Sequence, residues 1–318
     1  MSLESSPSAG VDPNMRPLTF SSRAFGLSWG SDHPLSEFGA INFPGPYDVT
    51  VERADEVRPR PGGRPVNNGE VFTDGARFRF GEAVFDTYGT DRVSWSSPDS
   101  DVVPAAFYGT VAAILLAWRG FVPLHGSAVE LDGQAVLIAG PSGAGKSTLC
   151  ASLVRNGGRL ISDDLSVLTL TPGGRLPVLL PGRRAIRLAT GAGSRTKALH
   201  EAPRIDADHG VALAAMVLLQ SSVVRTGPIE ATNLLRKQMF RPRWMQALPY
   251  VKQRETTIFS AAQQIAIFDA PSATDRPDLS TEEKTAMVLA RLSGLPSLTG
   301  DAIHRCSSRG AEEGTRSG

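Results

Sequence analysis

Residues 140–147, GPSGAGKS, have the residue types and spacing that suit phosphate binding. They match the pattern G-x-x-x-x-G-K-[ST] at every fixed position. Small residues in this pattern let backbone N–H groups turn toward phosphate oxygens, and the following helix adds its positive end. Lys146 is expected to reach the β- and γ-phosphates, and the Ser147 hydroxyl to coordinate Mg²⁺. The predicted nucleotide-binding residues are Gly140, Ser142, Gly143, Ala144, Gly145, Lys146, Ser147 and Thr148, with Arg187 from a later segment.

Two carboxylates follow the next apolar run. Asp163 and Asp164 come directly after RLIS, which reads as a short buried strand. One carboxylate could hold Mg²⁺ or its waters while the other accepts a proton from an attacking hydroxyl. The pair could also be a simple turn between strands. Its position, 17 and 18 residues after Lys146, favours the functional interpretation.

A histidine precedes the glycine-rich loop. His125 and Gly126 stand in PLHGSAV, ahead of the predicted strand QAVLIAG. Taken alone, a histidine at a strand end is more often satisfied by a backbone group than used in chemistry. Its role therefore depends on whether the fold brings it to the carboxylates.

Taken together, HGSAV, GPSGAGKS and RLISDDLSVL resemble the HPr kinase/phosphorylases, and most of all their shorter relatives in peptide-modification gene clusters. The spacing agrees with that family, since Lys146 lies 21 residues after His125 and Asp164 lies 18 residues after Lys146. The resemblance covers roughly residues 121–170. It implies an α/β fold with a P-loop kinase core of the HPr kinase / phosphoenolpyruvate carboxykinase type, and ATP and Mg²⁺ as cofactors.

The resemblance also implies a role for each catalytic residue. Lys146 would bind phosphates, and Ser147 would bind Mg²⁺. Asp164 would be the base toward the acceptor hydroxyl, with Asp163 beside it in a metal-binding or supporting role. His125 would lie near Asp164 and tune it.

This sequence departs from the family pattern in three ways. Thr148 stands where the family usually has glutamate after the loop, and the family's later metal-binding glutamate has no clear match. A ligand could come from elsewhere, such as Glu201, Asp206 or Asp208. The C-terminal phosphorylase signature also lacks a convincing counterpart, so the reverse reaction is not expected.

Three arginines, Arg183, Arg184 and Arg187, follow the predicted strand LPVLLPG. They could stabilise the phosphoryl group during transfer, or they could form a solvated basic turn. Arg187 is the favoured functional candidate because Ile186 and Leu188 beside it are apolar.

Changes in composition and residue pattern along the chain predict four parts. Residues 1–40 are rich in Ser, Pro and Gly and predict a disordered tail, and residues 41–104 predict a small, mostly antiparallel β subdomain. Residues 105–296 would form the P-loop domain, followed by a flexible tail over 297–318. Elements predicted within the P-loop domain are a buried helix over about 105–118, a hairpin at Asp132-Gly133, a helix over about 146–155, a strand pair around TPGG, a strand or helix–strand junction over 212–220, a helix over 229–240 and a capped helix after Ser280.

Bulk composition constrains partners and location. The 318 residues include 33 Lys+Arg and 32 Asp+Glu. This nearly neutral net charge does not favour nucleic acid or an anionic membrane as a partner of the whole chain. The most apolar run, 102–118, contains a proline and is too short to span a bilayer. Two cysteines, Cys150 and Cys306, form no disulfide framework or metal motif. A soluble, cytoplasmic protein is expected.

The sequence therefore predicts an ATP- and Mg²⁺-dependent kinase that phosphorylates a serine hydroxyl on a protein or peptide. The resemblance makes a ribosomal precursor peptide of the lasso type, modified at a C-terminal serine, the best substrate hypothesis. A homo-oligomer is possible. The alternatives are a small-molecule kinase, acting on free serine or carboxykinase-like, and a nucleotide-binding regulator with little transfer activity.

Overall fold

Two large β-sheets, a two-stranded sheet and the helices around them make up the part of the chain that the structure, a computed structural model, describes. The described residues are 17–295, except 58, 99–100, 191–196, 204, 206–209 and 221–226. The fold is mixed α/β, as the sequence predicts. The predicted C-terminal tail lies outside the described residues.

The first sheet has nine strands in the order β3-β1-β2-β4-β9-β8-β7-β6-β5. Its pairs are antiparallel except β2–β4 and β4–β9, which are parallel. Residues 41–104, predicted to be rich in β-strands, contain six of the nine. The nine strands are β1 (Phe20–Ala24), β2 (Leu27–Ser31), β3 (Gly39–Ala40), β4 (Val49–Arg53), β5 (Arg64–Val66), β6 (Gly69–Phe72), β7 (Gly75–Phe80), β8 (Ala83–Tyr88) and β9 (Arg92–Ser96).

The expectation of a disordered tail through residue 40 is wrong for residues 20–40, which supply β1, β2 and β3. Every residue of β2 is buried, so LSWGS lacks the alternation that marks a half-exposed strand. Buried serines at positions 22, 28 and 31 give this region its tail-like composition. The hairpin turn between β1 and β2 is made by Phe25 and Gly26, both with positive φ. Residues 1–16 lie outside the described part of the chain.

The second sheet has seven strands and carries the sequence motifs. Its main path is β11-β10-β13-β14-β17-β18, while β12 pairs with β10 and β11 also pairs with β17 in parallel. A separate two-stranded sheet is formed by β15 and β16. The strands are β10 (Val122–Leu131), β11 (Gln134–Ala139), β12 (Arg159–Ser162), β13 (Leu165–Leu170), β14 (Pro177–Leu180), β15 (Ala185–Ala189), β16 (Lys197–Glu201), β17 (Val211–Leu219) and β18 (Ala266–Ala270).

The helices agree with most of the predicted segments. The expected helix near 105–118 consists of a π-helical stretch, Phe107–Val111, followed by α1 (Ala112–Trp118), and every residue in both is buried. Later helices are α2 (Lys146–Arg155), α3 (Pro228–Lys237), α4 (Pro242–Ala247), α5 (Val251–Ala262) and α6 (Thr281–Leu292). α6 begins with a complete capping box between Ser280 and Glu283. The helix predicted over 229–240 ends at Lys237, because residues 238–240 pair with the start of β10.

The core crosses the boundary predicted at residue 104. One cluster joins the nine-stranded sheet to the π-helical stretch and α1, and it also includes Leu165, Val167 and Trp244 from later parts of the chain. Two further clusters fill the faces of the second sheet. In the described residues, no helix is long and apolar enough to cross a membrane.

Candidate functional site

The glycine-rich loop connects β11 to α2, the strand–loop–helix context that its motif requires. Gly140, Gly143 and Gly145 have φ values of 145°, 84° and 97°, which side chains with a Cβ rarely adopt. A cavity of about 480 Å³ opens beside the loop. It is lined by His125, Ser127, Ser142, Gly143, Gly145, Lys146, Ser147, Thr148, Asp164, Arg187, Leu188 and Ala189.

Lys146 begins α2 and is largely buried. Its Nζ donates hydrogen bonds to the carbonyls of Gly140 (2.9 Å) and Pro141 (3.0 Å). The ammonium group is therefore folded back over its own loop, where phosphate oxygens would lie if a nucleotide bound as the motif predicts.

Asp163 is fully buried and accepts hydrogen bonds on both carboxylate oxygens. Oδ1 accepts from Ser127 Oγ at 2.6 Å and from Ser147 Oγ at 2.8 Å, while Oδ2 accepts from the Arg187 backbone N at 2.8 Å. Asp163 thus orients the Ser147 hydroxyl from the buried side, away from the cavity. A hydroxyl that donates to a carboxylate keeps lone pairs for a cation, so these residues fit Mg²⁺ held by Ser147, phosphate oxygens and water.

Asp164 faces the cavity instead, with 36% of its side chain exposed. Its φ is 68°, in the left-handed region, at the tight connection between β12 and β13. Aspartate tolerates this conformation better than most residues, and such outliers cluster at functional sites. Oδ1 lies 3.5 Å from His125 Nδ1, and Oδ2 lies 3.9 Å from Arg183 Nη1.

His125 lies on β10, with 38% of its side chain exposed. Its backbone N donates to Gln238 O at 2.7 Å, and its ring packs against Phe240 with a centroid separation of 5.9 Å. The following residue must be small. A Cβ on Gly126 would lie 2.8 Å from Ile138 O, because β10 and β11 approach closely there. The structure therefore brings the predicted histidine to the predicted base.

The three arginines do not form a solvated turn. Arg187 lines the cavity, as the sequence favoured, but Arg183 is the one beside Asp164. Arg183 is 2% exposed, and its Nε donates to Tyr108 O at 3.2 Å. Burial lowers the pKa of its guanidinium, opposed by the nearby charges of Glu37 and Asp164. Arginine keeps its proton nonetheless, so a buried cation faces the carboxylate.

Several residues of the site carried no sequence signal. Glu37, Tyr108 and Gly109 reach it from segments that show no motif. A Cβ on Gly109 would lie 3.3 Å from Arg183 Nη2 and 3.9 Å from Asp164 Oδ2. Ser127 stands within the quoted HGSAV, but only the strand geometry shows that it donates to Asp163.

None of the sequence candidates for a further metal ligand is among the described residues that line the cavity. Glu201 is exposed on β16 and is not among the cavity-lining residues, and Asp206 and Asp208 lie outside the described part of the chain. Among the described residues, no group of three or more His, Cys, Asp or Glu side chains is arranged to hold a metal ion. Thr148 lines the cavity in the place of the family's glutamate.

Comparisons with known proteins point to one family over a short segment. The chain is 42% identical over 55 residues to the HPr kinase/phosphorylase of Treponema pallidum, which is 17% of each chain. It is 56% identical over 41 residues to that of Limosilactobacillus reuteri, or 13% of each chain, and 43% identical over 53 residues to that of Brevibacillus brevis. The chain therefore spans less than a fifth of the length of these curated relatives.

Other comparisons are weaker. The Hpr(Ser) kinase/phosphatase of Coxiella burnetii superposes with a TM-score of 0.26 at 22% identity, covering 33% of this chain and 65% of that one. No family model matches the sequence. The resemblance to HPr kinase/phosphorylases is thus supported over a segment of about 41 to 55 residues.

Proposed function

We propose that this protein is an ATP- and Mg²⁺-dependent kinase that transfers the γ-phosphate to a serine hydroxyl of a protein or peptide. One observation carries the proposal: His125, Asp164 and the Lys146-Ser147 pair line the same cavity, although they are far apart in the sequence. The short segment shared with proteins named HPr kinase/phosphorylase supports a phosphotransferase.

The loop would hold the nucleotide through its backbone N–H groups and Lys146. Bound Mg²⁺ would neutralise phosphate charge, and Ser147, oriented by Asp163, is the residue that would hold it. The acceptor oxygen attacks the γ-phosphorus as the bond to ADP breaks, and the hydroxyl proton passes to Asp164. This general-base step needs an exposed carboxylate at the mouth of the phosphate site, which Asp164 supplies.

Two neighbours would set the properties of that base. The His125 ring lies 3.5 Å from one oxygen of Asp164 and can hydrogen-bond to it as the carboxyl gains and loses its proton. Arg183 lies 3.9 Å from the other oxygen, so a buried cation faces the carboxylate. Arg187, on the rim of the cavity, is placed to contact transferring phosphate.

The acceptor is proposed from the family resemblance. A precursor peptide ending in serine, of the lasso type, remains our first choice, and phosphorylation would then take place in the cytoplasm. Free serine is the small-molecule alternative. A nucleotide-binding regulator is favoured by one feature, the uncharged Thr148 where the family has a carboxylate.

The test is to incubate the protein with ATP, Mg²⁺ and either serine-containing peptides or free serine, and to measure masses. A phosphate on a peptide serine, lost in Lys146→Ala, supports the proposal. Phosphoserine formed only from the free amino acid supports the small-molecule alternative. Bound nucleotide without any phosphorylated product supports the regulator.

A further inference from the structure

Glu37 lies outside every sequence motif, in the turn between β2 and β3. The turn is closed by a 3.0 Å hydrogen bond from Phe38 N to Leu35 O. Only 5% of Glu37 is exposed. A carboxylate this deeply buried needs compensating cations, and here they come from the segment that borders the phosphate site.

Glu37 contacts all three arginines of that segment. Its Oε1 accepts a hydrogen bond from Arg187 Nη2, and its Oε2 lies 3.4 Å from Arg183 Nε. Its backbone carbonyl accepts from the backbone N of Arg184 at 2.9 Å. One turn of the nine-stranded sheet thus contacts the main chain at Arg184 and the side chains of Arg183 and Arg187.

The guanidinium groups of Arg183 and Arg187 lie between Glu37 and the candidate site. Arg183 Nη1 is buried and has no hydrogen-bond partner among the described residues, and it faces Asp164 Oδ2 at 3.9 Å. The Arg187 side chain lines the cavity. Without the negative charge of Glu37, both cations would be drawn toward the nearest anions, namely Asp164 and any bound phosphate.

The turn itself is firmly anchored. The Phe38 ring contacts Trp29 at a centroid distance of 5.1 Å and Tyr108 at 5.3 Å, and also meets Phe25 and Phe107. Tyr108 in turn accepts the Arg183 Nε hydrogen bond through its carbonyl. Glu37 therefore lies next to a packed and buried aromatic cluster, the kind of support that fixes a side chain in one position.

We infer that Glu37 is a positioning residue for phosphoryl transfer. It holds Arg183 short of hydrogen-bonding distance from Asp164, so that the Asp164 carboxylate stays open to the acceptor hydroxyl, and it holds Arg187 at the rim of the phosphate site. The inference rests on the proposed kinase function. The competing explanation is a buried ion cluster that stabilises the fold and has no effect on the reaction.

The two explanations differ in kinetics. Glu37→Gln keeps the shape and removes the charge. Positioning predicts a fall in the kcat of ATP turnover of about 10- to 100-fold, with an ATP Kd that is unchanged or lower because the arginines are freed toward phosphate. The effect should shrink in an Arg183→Met background, since the cation that would capture Asp164 is gone. Glu37→Asp should fall between Gln and wild type.

Asp86→Asn is the matched control. Asp86 forms a buried pair with Arg77 within the same sheet, so its loss should lower the melting temperature without a selective fall in kcat. If Glu37→Gln behaves like this control, or leaves kcat unchanged, the positioning role is wrong. If Glu37→Gln does not fold, the same kinetic comparison is made with Glu37→Asp, and an unchanged kcat there overturns the role equally.

A second measurement separates this inference from the proposed function. The Nε–Hε NMR signals of Arg183 and Arg187, assigned with Arg→Lys variants, should both shift in Glu37→Gln. Unchanged signals overturn the inference whatever the enzyme does. Shifted signals in a protein that turns over no ATP would uphold the positioning contact while contradicting the kinase proposal.

Discussion

Asp163 and Asp164 are adjacent in the sequence but differ completely in their surroundings. Asp163 is fully buried with three hydrogen-bond donors on its oxygens, whereas Asp164 reaches the cavity and meets a histidine and an arginine. The left-handed backbone conformation of Asp164 lets the two neighbouring side chains point in different directions, one into the core and one into the cavity. The sequence predicted a metal-binding or supporting role for Asp163 and a base role for Asp164. Their positions, one behind Ser147 and one at the cavity, are compatible with these roles.

Replacing Asp164 by asparagine should stop transfer while sparing the fold. Asparagine tolerates left-handed φ, so little strain is added, but it cannot accept a proton. We expect kcat to fall about 10²- to 10⁴-fold with nucleotide Kd nearly unchanged, measured by ADP release and calorimetry. Asp164→Asn with wild-type turnover would rule out the base assignment.

His125→Ala should lower kcat without abolishing it, since the role proposed for the histidine is to act on Asp164, 3.5 Å away, and not to take the acceptor proton itself. A loss of about tenfold is expected, together with a changed pH–rate profile. His125→Gln is the paired variant because it keeps a hydrogen-bonding side chain. Full activity in His125→Ala at every pH would remove this residue from the site.

At the scale of elements, strand β10 organises the site because it pairs with β11, β12 and β13 along its length. Local signals predicted this part well: the Asp132-Gly133 turn, the glycine-rich loop and the RLIS strand all have characteristic sequences. No characteristic sequence marks the β1–β3 strands, and none distinguishes the π-helical stretch from the ordinary helix predicted there. Their form depends on packing against distant residues such as Leu165 and Trp244, which no local pattern reveals.

Gly126→Ala should destabilise the protein through this strand pairing. The added methyl group would meet Ile138 O at 2.8 Å, so β10 must shift and carry His125 and Ser127 with it. A loss of about 1–3 kcal/mol in the free energy of unfolding is expected by chemical denaturation. Gly227→Ala serves as the control, since none of the described residues has an atom within 4 Å of its added Cβ. Equal effects of the two substitutions would contradict the close approach of β10 and β11.

Cys150 on α2 should resist alkylation in the folded protein. It is fully buried, and burial, followed by the charge of Asp163, raises its pKa well above the usual value. A raised pKa means that the unreactive neutral thiol predominates at about pH 8. Peptide mapping after iodoacetamide should find this cysteine unmodified until the protein is unfolded in guanidinium. Rapid labelling of the native state would show that α2 is packed differently.

Across the whole chain, the nine-stranded sheet shares a core cluster with Leu165 and Val167 of the second sheet, and it contributes Glu37 to the candidate site. Phe25, Trp29 and Phe38 are almost fully buried, and Glu37 reaches the arginines near Asp164. The sequence placed these residues in a disordered tail because their segments are short and rich in serine and glycine. Their importance comes from long-range contacts, which composition does not record.

Removing residues 1–40 should therefore abolish folding and not merely trim a tail. Each buried aromatic contributes roughly 3–5 kcal/mol, and a domain has only about 5–15 kcal/mol of net stability. Circular dichroism should show no cooperative melting for the 41–318 chain. A stable, active 41–318 protein would contradict the shared core. Deletion of residues 1–16 is the control, because it leaves β1–β3 in place.

Phosphoryl transfer itself is the most direct test of the central claim. Wild-type protein and Asp164→Asn would be incubated with ATP, Mg²⁺ and peptides carrying internal or C-terminal serine, and the products read by mass spectrometry. If Asp164 is the base of a serine kinase, the wild type adds one phosphate to a peptide serine and Asp164→Asn adds almost none, at equal nucleotide binding. A wild-type protein that binds ATP yet leaves ATP, peptides and free serine unchanged would contradict it.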